Sequence, residues 1–204
     1  MADIADSSGH WPVQSSEERL HGEIFSVRTD DVRMPDGEVA ARDVVVHPGA
    51  VAVLALDGDD RVLLVHQYRH PVGHLLWELP AGLRDVSGEP PLATAQRELA
   101  EETGWRAETW RTLADCFPSP GMTSERIRIY LARGVSEIPP DERHFTRVEE
   151  EAGIEVAWVP LGDAAAAILA GDIHNQTAAV GILAAYAARA DGFAGLRDPR
   201  APEA

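Results

Sequence analysis

The segment E-P-P-L-A-T-A-Q-R-E-L-A-E-E-T-G-W, residues 89–105, has the pattern of a helix with a marked beginning and end. Pro90 and Pro91 suit the first turn, where a missing N–H leaves no hydrogen bond unmade. Gly104 suits the left-handed conformation that ends many helices. Apolar residues between them recur at the helical period and predict a face packed against a core. This stripe consists of Leu92, Ala95 and Leu99.

Three glutamates, Glu98, Glu101 and Glu102, fall on one face near the end of this helix. Like charges three or four residues apart repel by roughly 0.2–0.5 kcal/mol per pair, and the helix C-terminus already carries about half a negative charge. A bound cation reverses both penalties. For an isolated R-E-x-x-E-E motif, the alternative is a solvated acidic face. The surrounding pattern therefore decides between the two interpretations.

That pattern resembles the Nudix box, usually written G-x5-E-x7-R-E-U-x-E-E-x-G-U, where U is a bulky apolar residue. The glycine alone is displaced, since the pattern requires it at Leu83 and Gly82 lies one residue earlier. We interpret this as a one-residue expansion of the following loop, because surface loops accept insertions at little cost. The matching residues are Glu89, Arg97, Glu98, Leu99, Glu101, Glu102, Gly104 and Trp105.

Composition limits the classes of partner and compartment. The chain has 204 residues, 45% of them hydrophobic, and a net charge of −16, which argues against the phosphate backbone of a nucleic acid as the main partner. A small anionic partner is still possible if metal ions and a few arginines make the electrostatic potential positive at its binding site. Cys116 is the single cysteine, the N-terminus lacks the order of a signal peptide, and no apolar run is long enough to span a bilayer. We therefore expect a cytoplasmic protein with no membrane association.

The N-terminal part predicts a small β-sheet subdomain. Residues 1–16 are polar and are expected to fray. Strands at 24–33 and 38–46 flank a Pro-Asp-Gly turn and form a hairpin. His47-Pro48-Gly49 makes a boundary. The expected organisation is an N-terminal dimerisation subdomain (1–47), a Nudix hydrolase domain (48–192) and a C-terminal tail (193–204).

The larger domain alternates strands with helices. Asp163 and Asn175 are helix N-cap candidates, with Gly171 and Gly192 as stops. The alanine-rich helices between them have few charges and are expected to pack rather than face solvent. This order predicts an α/β fold with a mixed sheet between helices, the α/β/α sandwich that the resemblance also implies. Strands are expected at 50–56, 61–68, 75–79, 107–115, 126–132 and 154–159.

The resemblance implies hydrolysis of a nucleoside diphosphate linked to another group, with divalent metal ions as cofactors. Hard cations prefer carboxylate and carbonyl oxygens, which favours Mg²⁺ with Mn²⁺ as the alternative. Arg97 either acts in catalysis or holds the glutamates in place by charge-assisted hydrogen bonds, and we favour the second role. The implied metal ligands are Glu98, Glu101, Glu102, Glu151 and the backbone carbonyl of Ala81.

Other segments resemble the ADP-ribose pyrophosphatases within the family. These are R-D-V-V-V at 42–46, H-Q-Y-R-H at 66–70, W-E-L-P-A-G at 77–82, and Pro120, sixteen residues after Gly104. The resemblance covers about residues 20–190 and implies a homodimer in which an arginine of the N-terminal hairpin reaches the substrate. Each of these residues also has a structural alternative: Arg42 and Arg69 as charges at strand edges, Pro120 as a turn former and Glu125 as a surface acid. The implied substrate-binding residues are Arg42, Arg69, Ser119 and Glu125.

The resemblance also implies a general base outside the box, on a mobile loop near the C-terminal end of the fold. The candidate here is the acidic run Glu149-Glu150-Glu151, with Glu151 favoured over Glu150. The alternative for this run is a solvated loop. Together with Glu98, Glu101 and Glu102, this base would let water cleave ADP-ribose to AMP and ribose 5-phosphate. Two further hypotheses stay open: a pyrophosphatase for a sugar nucleotide or dinucleotide, and a noncatalytic sensor of ADP-ribose or a nucleotide.

Overall fold

The structure, a computed structural model, describes residues 4–143 and 153–203. These residues form two compact units. The first contains the chain up to Pro48 together with Ser119–Glu125, and the second contains Gly49–Pro118 and the chain from Arg126 onward. The division of the chain at residues 47/48 and 192/193 stays a prediction. Residues near the end of the described chain pack on the second unit, where the Arg128 guanidinium donates to the carbonyls of Ala201 and Pro202.

The first unit contains a three-stranded antiparallel sheet in the order β1-β2-β3. The expectation that residues 1–16 fray is wrong from Val13 onward, where β1 begins and pairs with β2. Its polar side chains find partners across the strands, and the hydroxyls of Ser15 and Ser16 each lie 2.6 Å from a carboxylate of β2. The predicted hairpin is formed by β2 and β3. The strands are β1 (Val13–His21), β2 (Ser26–Arg33) and β3 (Val39–Val46).

The second unit contains two sheets, one of four strands in the order β7-β4-β9-β8 and one of three in the order β10-β5-β6. Strands β4 and β9 run parallel and the other neighbours antiparallel, so the four-stranded sheet is mixed, as predicted. The strands are β4 (Ala50–Ala55), β5 (Arg61–Arg69), β6 (His74–Glu78), β7 (Ala81–Leu83), β8 (Trp105–Cys116), β9 (Ile127–Glu137) and β10 (Glu155–Pro160). The described α-helices are α1 (Pro91–Thr103), α2 (Leu161–Ala170) and α3 (Gln176–Ala188).

Helices cover both faces of the four-stranded sheet. Strand β4 is buried along its whole length and divides its side chains between two apolar clusters. Ala95 and Leu99 of α1 pack with Val51 and Val53 on one face. Ile182 of α3 packs with residues such as Leu54 on the other. This arrangement confirms the predicted α/β/α sandwich.

The helix ends follow local sequence rules at most positions. Gly104 and Gly171 adopt φ values of 76° and 82°, the left-handed conformation expected after a last turn. The Asn175 side chain accepts a hydrogen bond of 2.9 Å from the Ala178 N–H and caps α3, as predicted. No helix in the described part of the chain is both long and apolar enough to cross a membrane.

The prediction of Asp163 as an N-cap is wrong. Strand β10 runs directly into α2, so Pro160 takes the cap position and Leu161 is the first helical residue. Asp163 instead lies in the first turn, where a carboxylate interacts favourably with the helix dipole. Gly192 also does not end α3, since α3 stops at Ala188 and Gly192 ends a short 3₁₀ turn that follows it.

Candidate active site

The acidic face of α1 lies against strand β7, the segment that precedes the box loop. Glu98 and Glu102 are only 8% and 5% exposed, whereas Glu101 is partly exposed. Burial of a carboxylate destabilises a fold unless the charge is paired or hydrogen-bonded. The neighbours of these glutamates therefore determine what the site can do.

Arg97 holds three of the surrounding carboxylates. Its guanidinium lies 2.6 Å from Glu98, 3.0 Å from Glu101 and 3.1 Å from Glu89. These contacts, with that to Glu89 the strongest, raise the pKa of Arg97 above its ordinary value. The same guanidinium, together with the Thr94 hydroxyl, lowers the pKa of the Glu89 carboxyl. One cation fixes three carboxylates, so the orienting role of Arg97 has a direct geometric basis and the cluster keeps a net negative charge.

Backbone and glycine contacts fix the remaining acids to β7. The Ala81 N–H donates a hydrogen bond of 2.9 Å to the Glu102 carboxylate. A Cβ atom added to Gly82 would overlap the carboxyl group of Glu98. The displaced box glycine is therefore required for the close approach of helix and strand. The one-residue loop expansion falls after this contact and leaves it intact.

The oxygen donors of this cluster suit a hard divalent cation. Glu98, Glu101 and Glu102 lie in the last turns of α1, with the backbone of Ala81 beside Glu102, and carboxylate and carbonyl oxygens are the ligands such ions prefer. Across residues 4–143 and 153–203, no three His, Cys, Asp or Glu side chains stand ready around a single ion position. The side chains are instead held by Arg97 and by the Ala81 N–H. The oxygen atoms of the cluster are of the kind that binds such an ion, but the side chains do not converge on one ion position among the described residues.

Arg69 lies at the end of β5 and contacts a buried acid that the sequence analysis did not identify. Its guanidinium is 2.7 Å from the carboxylate of Glu78, which is 2% exposed and also accepts a hydrogen bond from Gln67. This pairing depends on the alignment of β5 with β6, which no local sequence signal specifies. The alternation of apolar and polar residues marks Glu78 only as a charged residue in a strand. The role of Arg69 in substrate binding stays a prediction.

Three other predicted substrate contacts belong to the first unit. Arg42 lies on β3, is exposed, and donates to the carbonyl of Ala41 at 2.8 Å. The Ser119 carbonyl accepts backbone hydrogen bonds from the turn that follows it. The Glu125 carboxylate lies 3.9 Å from the His47 ring. The carboxylate of Glu125 and the backbone of Ser119 thus have local structural partners, and the binding roles of all three residues stay predictions.

The predicted general base lies outside the described residues. Glu149, Glu150 and Glu151 all fall between residues 144 and 152. The site described above therefore consists of Ala81, Gly82 and the charged end of α1.

Comparison with known proteins identifies the family. A model of the NUDIX domain matches residues 46–179. An ADP-ribose pyrophosphatase of Mycobacterium tuberculosis (strain ATCC 25618 / H37Rv) is 48% identical over 180 residues, which cover 88% of this chain and 84% of that protein. An ADP-ribose pyrophosphatase of Bacillus subtilis (strain 168) is 33% identical over 168 residues, 82% of this chain and 88% of that protein.

A solved structure of an ADP compounds hydrolase has the same fold. It superposes with a TM-score of 0.72 at 19% identity and covers 92% of this chain and 99% of its own. At this identity the likeness bears on the fold alone. The residues matched by the NUDIX domain model include all of β7 and α1, and therefore Arg97 and the glutamates of the site. The chain belongs to the Nudix family.

Proposed function

We propose that this protein hydrolyses the pyrophosphate bond of ADP-ribose in a reaction that depends on divalent metal ions. AMP and ribose 5-phosphate are the products. The main support for the proposal is the charged cluster at the end of α1. There Arg97 contacts three carboxylates, and Gly82 has no side chain that would prevent Glu98 from packing against β7. The substrate is supported by the two relatives named ADP-ribose pyrophosphatase, which match more than four fifths of this chain.

Nudix hydrolases generally require divalent metal ions, and Mg²⁺ is the ion we propose here, with Mn²⁺ as the alternative. Its ligands would be the carboxylates of Glu98, Glu101 and Glu102 and the Ala81 carbonyl. When bound, such an ion offsets phosphate charge and lowers the pKa of a coordinated water. The residues of the chain supply the position and orientation of the ligands.

Arg97 and the Ala81 N–H have orienting roles in this proposal. Arg97 limits the positions that the carboxylates of Glu98 and Glu101 can take beside Glu102. The hydrogen bond from Ala81 to Glu102 ties the helix to the strand whose carbonyl would be a ligand. We propose Glu151 as the general base that takes the proton of the attacking water.

Substrate recognition is proposed to involve Arg69, Arg42, Ser119 and Glu125. Arg69 is restrained by Glu78 through a charge-assisted contact of 2.7 Å, which fixes the direction of its guanidinium. Arg42 is exposed and has no carboxylate within ion-pair distance among the described residues. Arg42 would contact the anionic substrate across the proposed dimer interface, and Arg69 would contact it through a guanidinium that Glu78 already orients.

A comparison of substrates tests the proposal. Purified protein with Mg²⁺ is expected to release AMP from ADP-ribose with a kcat/KM well above that for a sugar nucleotide or a dinucleotide. Faster cleavage of one of those compounds would assign the chain to the alternative pyrophosphatase activity. If ADP-ribose binds with no turnover under any divalent ion and Glu98→Gln leaves its affinity unchanged, the protein is a sensor instead.

We further propose a cytoplasmic homodimer formed through the sheet of β1, β2 and β3. Exposed apolar side chains on this unit, such as Val13, Leu20 and Val39, provide surface for association. Sedimentation at micromolar concentration is expected to give twice the monomer mass of 22.1 kDa. A monomeric mass with full activity would contradict the dimer.

A further inference from the structure

A concave site in the second unit is lined by residues other than those of the acidic end of α1. It is a cavity of about 450 Å³, within the size range of small-molecule sites. Strands β8 and β9 form its floor and the turn at residues 192–194 forms its wall. The residues that matter for its chemistry are Thr109, Arg111, Leu131, Arg133 and Phe193.

The alignment of β8 with β9 brings Arg111 and Arg133 together. Thr109 pairs with Arg133, and Arg111 pairs with Leu131, so the two arginines are diagonal neighbours on one face of the sheet. Diagonal residues in antiparallel strands lie roughly 7–8 Å apart. Both arginines are exposed and line the cavity. Two cationic residues therefore line the same cavity.

Neither arginine forms an ion pair within the described part of the chain, although the protein contains 34 acidic residues and 18 basic ones. None of the described residues that line the cavity is acidic, and the neighbouring Asp191 accepts a hydrogen bond of 3.0 Å from the Phe193 N–H. Other arginines of the same two strands do have acidic partners: Arg106 contacts Glu142 at 3.1 Å. A pair of neighbouring unmatched cations is unfavourable by itself, and an anion between them removes the repulsion.

Phe193 fixes the position of one of these guanidinium groups. It has a left-handed backbone with φ of 66°, which is uncommon for a residue with a side chain, and the residue as a whole is only 8% exposed. The Arg133 guanidinium lies over this ring at 5.2 Å from its centre. The ring orients the cation and is itself covered. The cavity is therefore built to bind anionic groups rather than to stack a nucleobase on Phe193.

We propose that this cavity is a binding site for a diphosphate group, held by Arg111 and Arg133 and separate from the hydrolytic site. The cavity has room for two linked phosphates, and its lining provides two arginines that are diagonal neighbours on the sheet, so each phosphate can accept charge-assisted hydrogen bonds from one arginine. The ligand is either inorganic diphosphate or a metabolite that carries one. This inference does not depend on the substrate of the hydrolytic site.

Binding of inorganic diphosphate in EDTA tests the site, since removal of divalent ions suppresses metal-dependent binding at α1. Isothermal titration is expected to show one binding event, and amide chemical shifts at residues 109–111, 131–133 and 192–194 are expected to move. Arg111→Gln and Arg133→Gln should each weaken the affinity by roughly tenfold. Arg106→Gln, a control on the same strand with an acidic partner, should leave it unchanged.

A second arm compares inorganic diphosphate with ADP and AMP. Equal affinity for inorganic diphosphate and ADP, with weak binding of AMP, indicates recognition of the diphosphate alone. Tighter binding of ADP identifies a nucleotide ligand. Unchanged affinity in the Arg111→Gln/Arg133→Gln double variant, or shifts confined to α1 and β7 in the wild type, would overturn the proposal. The wild-type shifts decide the matter even if a variant fails to fold.

Discussion

Helices α1 and α3 have the same length, 13 residues, and pack on opposite faces of the same sheet, yet they bury different chemistry. The buried residues of α3 are alanine, glycine and isoleucine, whereas α1 also buries two glutamates and two threonines. Apolar burial stabilises a fold, and burial of carboxylates does not unless they are paired. The difference is that α3 contributes to the core, whereas the buried glutamates of α1 need the contacts of Arg97 and the Ala81 N–H, as expected for the metal site we propose.

Two glycines, one facing α1 and one within α3, also differ in what they contact. Gly82 makes room for the carboxyl group of Glu98, and Gly181 makes room for the side chain of Leu79. An added methyl group would therefore disturb an ionisable cluster on one side and the apolar core on the other. The following changes test this separation of roles.

The largest effect is expected from Glu98→Gln. The hydrolysis rate should fall on the order of 10³-fold because the ligand charge is lost while the shape is kept. The thermal unfolding midpoint should stay the same or rise, since one of several clustered negative charges is removed. Rates of AMP release and calorimetry measure the two quantities. The control is Glu108→Gln, a change to an exposed acid of β8, which should leave the hydrolysis rate and the unfolding midpoint unchanged. Full activity of Glu98→Gln would mean that α1 is only structural.

The next effect concerns a charged pair that we assign to stability. Asp115 lies 2.7 Å from Arg128, which is 2% exposed, and 2.9 Å from Arg197. Asp115→Asn leaves the Arg128 charge with less compensation and should lower the free energy of unfolding by about 3 kcal/mol at neutral pH. Chemical denaturation measures this loss, and kcat should change little.

The same pair predicts a pH dependence of stability. Burial raises the pKa of Asp115, but the bonds from Arg128 and Arg197 outweigh it and hold the pKa below the ordinary value of 3.8. A carboxyl group with a lowered folded-state pKa stabilises the fold above its unfolded pKa and loses that contribution as the pH falls through the folded value. The difference in the free energy of unfolding between wild type and Asp115→Asn should thus have its largest value at pH 7 and decrease below about pH 4. A constant gap down to pH 2 would contradict this assignment.

Gly82→Ala should act on catalysis more than on folding. The new methyl group would overlap the Glu98 carboxyl and displace it from β7, so the hydrolysis rate should fall on the order of 100-fold. The unfolding midpoint should change by only a few degrees, because the affected contact is polar and lies beside the core. A rate close to that of the wild type would show that the approach of Glu98 to β7 is not needed.

Gly181→Ala is the matched change on the opposite face and should have the smallest effect. Its methyl group would lie 2.6 Å from Leu79 and 3.3 Å from Ile129, so the core must shift. Overpacking typically costs about 1–3 kcal/mol, and the higher helix propensity of alanine offsets up to about 1 kcal/mol of that. Denaturation should show a net loss with kcat unchanged. A fall in kcat without loss of stability would remove the distinction between the helices.

Local sequence rules predicted α1 well. Pro91 lies in the first turn as predicted, whereas Pro90 takes the cap position before it. These prolines, the apolar stripe and Gly104 mark where the helix begins and ends, and each signal depends only on neighbours along the chain. The acidic face was recognisable because it departs from what a stable helix prefers. Most strands and the α/β/α layers followed from alternation of apolar residues and from the family resemblance, but β1 and the short β7 were not predicted.

The contacts between distant segments were not predictable in this way. The pairing of Arg69 with Glu78 depends on the alignment of β5 with β6. The cavity of Arg111 and Arg133 depends on the pairing of β8 with β9 and on a turn about sixty residues later along the chain. The cap of α2 was missed because a strand that continues directly into a helix leaves no room for a polar cap residue.

The most direct test of the central claim is the initial rate of AMP release from ADP-ribose with excess Mg²⁺, after EDTA, and after Mg²⁺ is restored. If the acidic end of α1 serves as a metal site, the rate should fall to background in EDTA and return fully with Mg²⁺. A rate that persists in EDTA would contradict the account and would leave the glutamates of α1 without the role that distinguishes this helix from α3.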